Sequence, residues 1–430
     1  MNIVYLHSHD TGRYIQPYGY QVPTPHLMKL AEEGVLFRHA YCAAPTCSPS
    51  RAALLTGMSP HSCGMLGLAH RGFSLVNPER HLATYLRENG FKTVLCGVQH
   101  EAKDPADLGY IDVLPVESGS DDRRNATLAA EYIKAYRSEQ PFFLSFGMFN
   151  THRAFPEADP DIRADYVMPH AMFYDHPDNR EDMARYMTSA RIMDDSIGIV
   201  LEALAQSGRS SDTLILYTTD HGIAFPHMKS QLYDTGIGVS LIMKHPGAFP
   251  RQGAVDTLVS QVDVFPTICE LLELDKPDWL QGVSLLPVLT DAVEQVREEI
   301  YAEVTYHAAY EPMRCIRTPR YKYIRLYEDH GRHVAANIDD GLSKTFLMEH
   351  GFLDETREQE MLFDLYLDPV ERVNLVGRPE YSVIHQSLQD RLTSWMKQTD
   401  DPLLTGRVAK PAGVRINKSS TLSPSEQDYE

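Results

Sequence analysis

Short apolar runs alternate along the first two thirds of the chain with longer stretches in which apolar residues recur every three to four positions. The short runs predict strands at 2–7 (NIVYLH), 92–97 (KTVLCG), 142–147 (FFLSFG), 213–218 (TLILYT) and 239–243 (VSLIM). The longer ones predict helices at 25–33, 50–56, 81–89, 124–138 and 180–206, the last with Met187, Ile192, Ile199 and Leu204 on one stripe. Strand and helix alternating in this way predict an α/β fold, with a mostly parallel sheet and helices on both faces.

Past residue 300 the pattern changes. MRCIRTPRYKYIRLY (313–327) and EMLFDLYLDP (360–369) read as antiparallel strands, followed by an amphipathic helix near 379–397. The expected organisation is a catalytic α/β domain at 1–300, a smaller α+β subdomain with an antiparallel sheet at 301–405, and a flexible polar tail at 406–430. No internal repeat is present.

Composition narrows the function. The 430 residues are 43% hydrophobic, enough for a sizeable core, and carry a formal charge of −19. That balance argues against nucleic acid as a partner and requires local positive charge for any anionic substrate. The six cysteines form no CxxC pair, which predicts free thiols in a reducing compartment. The chain enters its first strand without a signal-like segment, and no apolar run approaches the ~20 residues of a membrane span. The expectation is a cytoplasmic protein without membrane contact, with oligomerisation left open.

Four predicted strands run into His or Asp: His9 and Asp10 after the first, His100 after 92–97, His152 after 142–147, Asp220 and His221 after 213–218. Ligands of open α/β sheets bind at the carboxyl ends of the strands, so these residues should converge. Two carboxylates and two imidazoles suit a divalent cation with open positions; the alternative is that they cap the following helices. In PTCSPSRAALLTG (45–57), Ser48 is suited to cap a helix, Pro49 to its first turn and Gly57 to its end. Cys47 is thereby expected at a helix N-terminus, where the helix dipole and Arg51 favour an anion, either its own thiolate or a bound sulfate or phosphate.

CSPSRAALLTG resembles the Cys-x-Pro-x-Arg signature of the sulfatases, members of the alkaline phosphatase superfamily. The resemblance extends through TPHLMKLAEEGVLFRHAY, DTLILYTTDHG, RTPRYKYI and LFDLYLDPVERVNL. GMLGL, DHGIAFP, PMR at 312–314 and the closing Trp395, Asp401 and Pro402 are most similar to the sulfamidases, or heparan N-sulfatases.

The resemblance implies that a maturation enzyme oxidises Cys47 to Cα-formylglycine, whose hydrate attacks sulfur with one oxygen and expels sulfate with the other. It implies that Arg51 orients the hydrate, that His100 takes the proton that regenerates the aldehyde, and that His152 contacts the sulfate and protonates the leaving group beside Lys229. It also implies a divalent metal on His9, Asp10, Asp220, His221 and residue 47, calcium being usual in the family. His9 and His221 replace oxygen ligands and shift the expectation towards manganese or another transition metal. A second departure is Val98-Gln99-His100 in place of Lys-x-His. Either Lys103, Arg13 or another cation from a different loop supplies the missing charge, or the cleaved group is less negative than an ordinary sulfate ester. His307, Arg314 and Arg13 are candidate substrate-binding residues, with Tyr18 and Tyr20 available to stack on a sugar. The implied substrate is a sulfate ester or sulfamate on a saccharide, including N-sulfoglucosamine. The competing readings are a phosphonate monoester hydrolase or phosphodiesterase, and an inactive homologue that binds sulfated glycans.

Overall fold

The computed structural model describes residues 1–249 and 251–430. Its main sheet has eight strands in the order β4-β3-β5-β1-β6-β7-β2-β8. They are β1 (Asn2–Ser8), β2 (Val35–Tyr41), β3 (Lys92–Gly97), β4 (Asp112–Val113), β5 (Phe142–Gly147), β6 (Thr213–Thr219), β7 (Leu241–Lys244) and β8 (Gly253–Ser260). All neighbours pair parallel except β7, which runs antiparallel to both β6 and β2. The predicted α/β class and mostly parallel sheet are therefore present, with the predicted strand at 239–243 realised as the single reversed one.

Strands buried on both faces are largely apolar, and β1 and β6 are buried throughout, with Asn2, His7, Ser8, Thr213, Thr218 and Thr219 as their polar positions. Ile3 and Tyr5 face one core, with Leu214, Leu216, Leu54 and Phe265; Val4 and Leu6 face the other, with Tyr217, Leu27, Met193 and Val200. The longer helices that cover the sheet are α1 (Pro25–Glu33), α2 (Cys47–Thr56), α3 (Leu82–Glu88), α4 (Asp122–Ala135), α5 (Pro177–Gln206) and α6 (Val264–Leu271). Among the described residues no helix is long and apolar enough to cross a membrane.

A second sheet, antiparallel and ordered β12-β11-β10-β9, is built from β9 (Ile300–Tyr306), β10 (Tyr310–Arg317), β11 (Tyr321–Leu326) and β12 (Glu360–Asp364). Between its last two strands lies α7 (Leu342–Glu349), and α8 (Ser382–Gln398) follows. Leu388, Leu392 and Met396, spaced four apart, put one face of α8 into the core that also holds Ile3 and Tyr5, so the two sheets share apolar packing.

Three expectations change. Strands β2 and β8 were not foreseen, because Arg38-His39 and Asp256-Thr257 interrupt their apolar runs. Helix α2 begins at Cys47 rather than beyond Ser48: Thr46 is the flanking residue, and the Ser48 hydroxyl instead accepts the Ala69 amide at 3.0 Å. The 406–430 segment docks on the second sheet rather than hanging free. Val408, Val414, Ile416 and Asn417 are buried, and Asn417 accepts from Arg71 at 2.7 Å while its amide bonds the Ala308 carbonyl at 2.7 Å.

The cap of α3 makes a pH prediction. His81 is fully buried and accepts the Ala83 amide at 3.1 Å, a bond only the neutral ring can make. Burial pushes its pKa down to about 3. The unfolded chain takes up this proton below its ordinary value near 6.5, so the stability the neutral ring contributes is present above that pH and is lost as pH falls towards 3. Substituting His81→Asn keeps a capping acceptor and removes the titration. At pH 5 the parent should have lost about 2 kcal/mol from this group; the variant's melting temperature, followed from pH 7 to 4.5, should fall less steeply than the parent's.

Candidate active site

The carboxyl ends of β1, β3, β5 and β6 and the N-terminus of α2 meet at one point. Cys47 opens α2; Thr46 makes no side-chain cap, which leaves first-turn amides free to face an anion. Its Sγ lies 3.5 Å from His221 Nε2. Burial opposes ionisation of this thiol, but the charge of Lys229 and hydrogen bonds with His100, His152 and His221 outweigh it and hold Cys47 well below the usual thiol range. Sγ occupies the place of the oxygen that an oxidised residue 47 would carry.

Beside it, Asp10 sits in a left-handed backbone at φ 50°, and its amide is held by Asp220 Oδ1 at 2.8 Å. Asp220 Oδ2 lies 3.0 Å from His9 Nδ1, and Asp10 Oδ1 lies 3.3 Å from His221 Nε2 and 3.5 Å from His9 Nδ1. The loop carrying His221 turns tightly at Gly222, where a Cβ would stand 2.0 Å from the Thr235 carbonyl oxygen, so only glycine fits. Asp10 Oδ1 and both ring nitrogens of His9 are fully buried with no well-formed hydrogen bond among the described residues. Groups of this kind are rarely left unsatisfied in a folded interior, and here they belong to two overlapping sets whose ligand atoms lie within 4.8 Å of one another: His9, Asp10, Cys47 and His152, and Asp10, Cys47, Asp220 and His221. The donor set fits a divalent cation. Burial works against protonation of His9 and His221, yet the neighbouring carboxylates raise them to about 10 and 9, so the cluster favours positive charge.

Arg51 is buried behind the metal-type cluster, donating to Asp220 Oδ2 at 3.0 Å, the Ser8 carbonyl at 2.9 Å and His7 Nδ1 at 2.5 Å. His7 was not singled out from sequence; burial keeps it neutral, so Nδ1 can accept, and Ser145 holds its other nitrogen at 3.1 Å. Lys229 lies between two residues with positive φ, His227 and Ser230. Its Nζ reaches Asp10 Oδ2 at 2.8 Å, Asp339 Oδ2 at 2.7 Å and His152 Nε2 at 3.5 Å. The rings of His100 and His152 stand 4.6 and 5.2 Å from that of His9, and His152 is partly open to solvent. Burial lowers His100 to about 4, so its ring is neutral at ordinary pH.

The candidates from the second sheet divide. His307 is buried with Nδ1 unpartnered, and it is lowered to about 4 by burial and then by the charge of Lys229, with Asp339 and Cys47 also within electrostatic reach. It stands at the site. Arg314 does not: its guanidinium is fully buried and taken up by Asp401 at 2.5 and 3.0 Å, Glu303 at 3.2 Å and the carbonyls of Val304 and Met313. With no exposure and its charge taken by two buried carboxylates, Arg314 is structural. Arg13 also stands apart, in a cavity that none of the metal-type or catalytic groups lines. Lys103 is exposed and forms no ion pair with these groups. The cation that faces residue 47 is Lys229, shared between Asp10 and Asp339.

Two further residues escaped sequence reasoning. Asp339 comes from a loop before α7 with no periodic signal around it. Glu101 is buried beside His100, whose amide it accepts at 3.0 Å, while burial raises its carboxyl. The polar residue following a strand-end His was the only available sign of the latter.

Comparison with known proteins agrees with this geometry. The Sulfatase family profile matches residues 1–274, and a profile described as N-sulphoglucosamine sulphohydrolase, C-terminal, matches residues 222–339. Human N-sulphoglucosamine sulphohydrolase is 29% identical over 93% of this chain and 89% of its own length. An ulvan-active sulfatase of Formosa agariphila is 27% identical, covering 93% and 75%. The crystal structure of a putative sulfatase from Bacteroides thetaiotaomicron superposes with a TM-score of 0.73 at 22% identity, covering 96% of this chain and 95% of that one. With the family profile spanning both halves of the metal-type cluster and the Cys47 motif between them, the chain belongs to the sulfatase family.

Proposed function

We propose that this protein is a formylglycine-dependent sulfatase that releases sulfate from a saccharide, with the N-sulfate of glucosamine as its substrate. The observation that carries the reading is residue 47 itself, at a helix N-terminus and 3.5 Å from His221 in the Asp10–Asp220 cluster. The substrate follows the name of the human relative and the match to a sulfamidase C-terminal profile. A divalent ion on His9, Asp10, Asp220 and His221 would supply Lewis acidity towards a sulfate oxygen; two imidazoles among the donors favour manganese or another transition metal over calcium.

The chain's own residues do the rest. Once a separate maturation enzyme has oxidised the Cys47 thiol to an aldehyde, its hydrate provides the nucleophilic oxygen. Arg51, fixed by His7, Ser8 and Asp220, holds a positive charge behind that oxygen. His100, neutral through burial, accepts a proton as the aldehyde is regenerated. His152, on the open side and 3.5 Å from Lys229, delivers a proton to the leaving group. Lys229 keeps its charge because Asp10 and Asp339 outweigh the cost of its burial.

The site's charge favours a sulfamate. Val98 stands where the resemblance expects a lysine, and Asp339 places a second carboxylate on Lys229 beside Asp10. A nitrogen leaving group departs as an amine that takes up protons, and a carboxylate 2.7 Å from Lys229 favours the positive charge that develops there.

Protein produced with a formylglycine-generating enzyme should show kcat/KM for N-sulfoglucosamine at least ~100-fold above those for glucosamine 6-sulfate, nitrophenyl sulfate and a phenyl phosphonate monoester. Preference for the phosphonate would replace this reading with a phosphonate hydrolase. No turnover by protein whose residue 47 is shown by mass spectrometry to be the aldehyde would leave a glycan-binding homologue. Asp339→Asn should lower kcat on the sulfamate by roughly 10- to 100-fold and act less on the O-sulfate ester.

A further inference from the structure

A cavity of about 900 Å³ opens where the 11–22 loop, β2, the 166–171 loop and the 234–238 turn meet residues 317–319 and 365–370 of the second sheet's loops. None of the groups assigned to catalysis lines it, and its chemistry is unlike the rest of this acidic chain.

Charge is unbalanced at its wall. The Asp234 carboxylate lies 2.5 Å from Lys322 Nζ and 3.1 Å from Arg317 Nη2, and it accepts the Tyr41 hydroxyl at 3.1 Å. Arg13 Nη2 comes no closer to it than 4.0 Å, and its other contacts are the neutral carbonyls of Arg38 at 3.2 Å and Asp234 at 3.4 Å. The second carboxylate, Glu371, is committed to Lys322 at 2.8 Å, and burial pushes it up to about 7. Three cations thus share two carboxylates, one only partly ionised near neutral pH. The cation left over is Arg13, on the cavity side. Of the three cations Arg13 is the most weakly paired, 4.0 Å from Asp234, and an anionic ligand in the cavity would give it a closer partner.

The cation is also held still. Arg13 and Arg317 lie over the Tyr41 ring, 4.9 and 4.5 Å from its centroid. Gly238 makes the room, since a Cβ there would stand 2.1 Å from Arg13 Nη2. Around the mouth, Tyr20, Tyr166 and Tyr366 are 37%, 78% and 67% exposed. Exposed rings grouped at the rim of a cationic cavity suit a ligand with apolar faces and anionic substituents. A pyranose bearing sulfate or carboxylate has both, and the volume holds a short oligosaccharide.

We infer that this cavity is a second saccharide site, in which Arg13 receives a sulfate or carboxylate oxygen of an anionic glycan while the rim tyrosines lie against its rings. The inference draws on the cavity's own lining and does not depend on the catalytic reading.

Binding without turnover tests it. Full-length Cys47→Ala protein is titrated calorimetrically with a heparin-derived sulfated hexasaccharide, an unsulfated oligogalacturonate and inorganic sulfate. Adding Arg13→Gln should weaken hexasaccharide binding about tenfold, the effect of one charge-assisted hydrogen bond. Tyr366→Ala, at an exposed position where folding is not at stake, should weaken it about threefold or more. Equal loss with the oligogalacturonate assigns the contact to carboxylates; loss confined to the hexasaccharide assigns it to sulfate. Inorganic sulfate alone should bind weakly and be insensitive to Tyr366→Ala. Should Arg13→Gln fail to fold, Tyr366→Ala decides. Unchanged hexasaccharide affinity in the folded variants overturns the inference, as does a change from dimer to monomer on Tyr366→Ala with affinity unaltered, which would make the rim a contact between copies of this chain.

Discussion

Replacing Cys47 with Ala should reduce kcat on any sulfated substrate on the order of 10⁵-fold or more while leaving the protein folded, because the substitution removes the attacking atom and nothing else. The side chain is small and its Sγ packs against His221 rather than the apolar core. The melting temperature should therefore shift by no more than about 3 °C. The parent peptide spanning residue 47 should also show, by tandem mass spectrometry, the lower mass of an aldehyde in active protein. A variant that kept even a few per cent of the parent's activity would place the chemistry elsewhere, since neither His221 nor Lys229 could replace a nucleophile whose second oxygen expels the bound sulfate. Substrate binding by the same variant should survive, as Arg51, Lys229 and the metal-type cluster do not depend on the thiol for their positions.

The catalytic half of this molecule was readable because the sheet does the positioning. Strands buried on both faces announce themselves as largely apolar runs, and their carboxyl ends are then fixed; His9, Asp10, Asp220 and His221 fall within two residues of those ends, and His152 five beyond β5. What was not readable depends on partners far along the chain. Asp339 reaches Lys229 from a loop, and no local pattern distinguishes it from Asp340 next to it, which instead pairs with Lys344 one helical turn on. Arg38-His39 hid β2, because that strand's polar residues turn to the outer cavity rather than to solvent-facing loops. The docked tail was missed for a different reason: Asn417 is a polar residue whose burial is made possible by Arg71 and by the carbonyls of Ser423 and Glu426, a network invisible to hydropathy. Arg13 shows both effects, since its place in sequence after Asp10 suggested the active site, whereas the turn at Gly12 sends it the other way, against Tyr41.

Arg314 carries the second large effect, and it falls on stability rather than catalysis. Its guanidinium closes a buried group made of Glu303, Asp401 and His61, with His61 Nδ1 2.5 Å from Glu303 and the ring of Trp395 set edge-on against His61. Substituting Arg314→Leu leaves two buried carboxylates with at most one imidazole between them, and breaking a buried pair in this way costs about 3–5 kcal/mol. The expected result is a denaturation midpoint, or a rate of thermal inactivation where unfolding is irreversible, that moves in proportion, with kcat/KM of the folded enzyme unchanged at low temperature. Removing the stranded charges as well, in Arg314→Leu with Glu303→Gln and Asp401→Asn, should recover part of the loss, because the penalty lies in the uncompensated carboxylates and not in the missing side chain alone. A substrate-contacting arginine would behave in the opposite sense: Arg314→Leu would then raise KM with little change in stability, and neutralising Glu303 and Asp401 would rescue nothing.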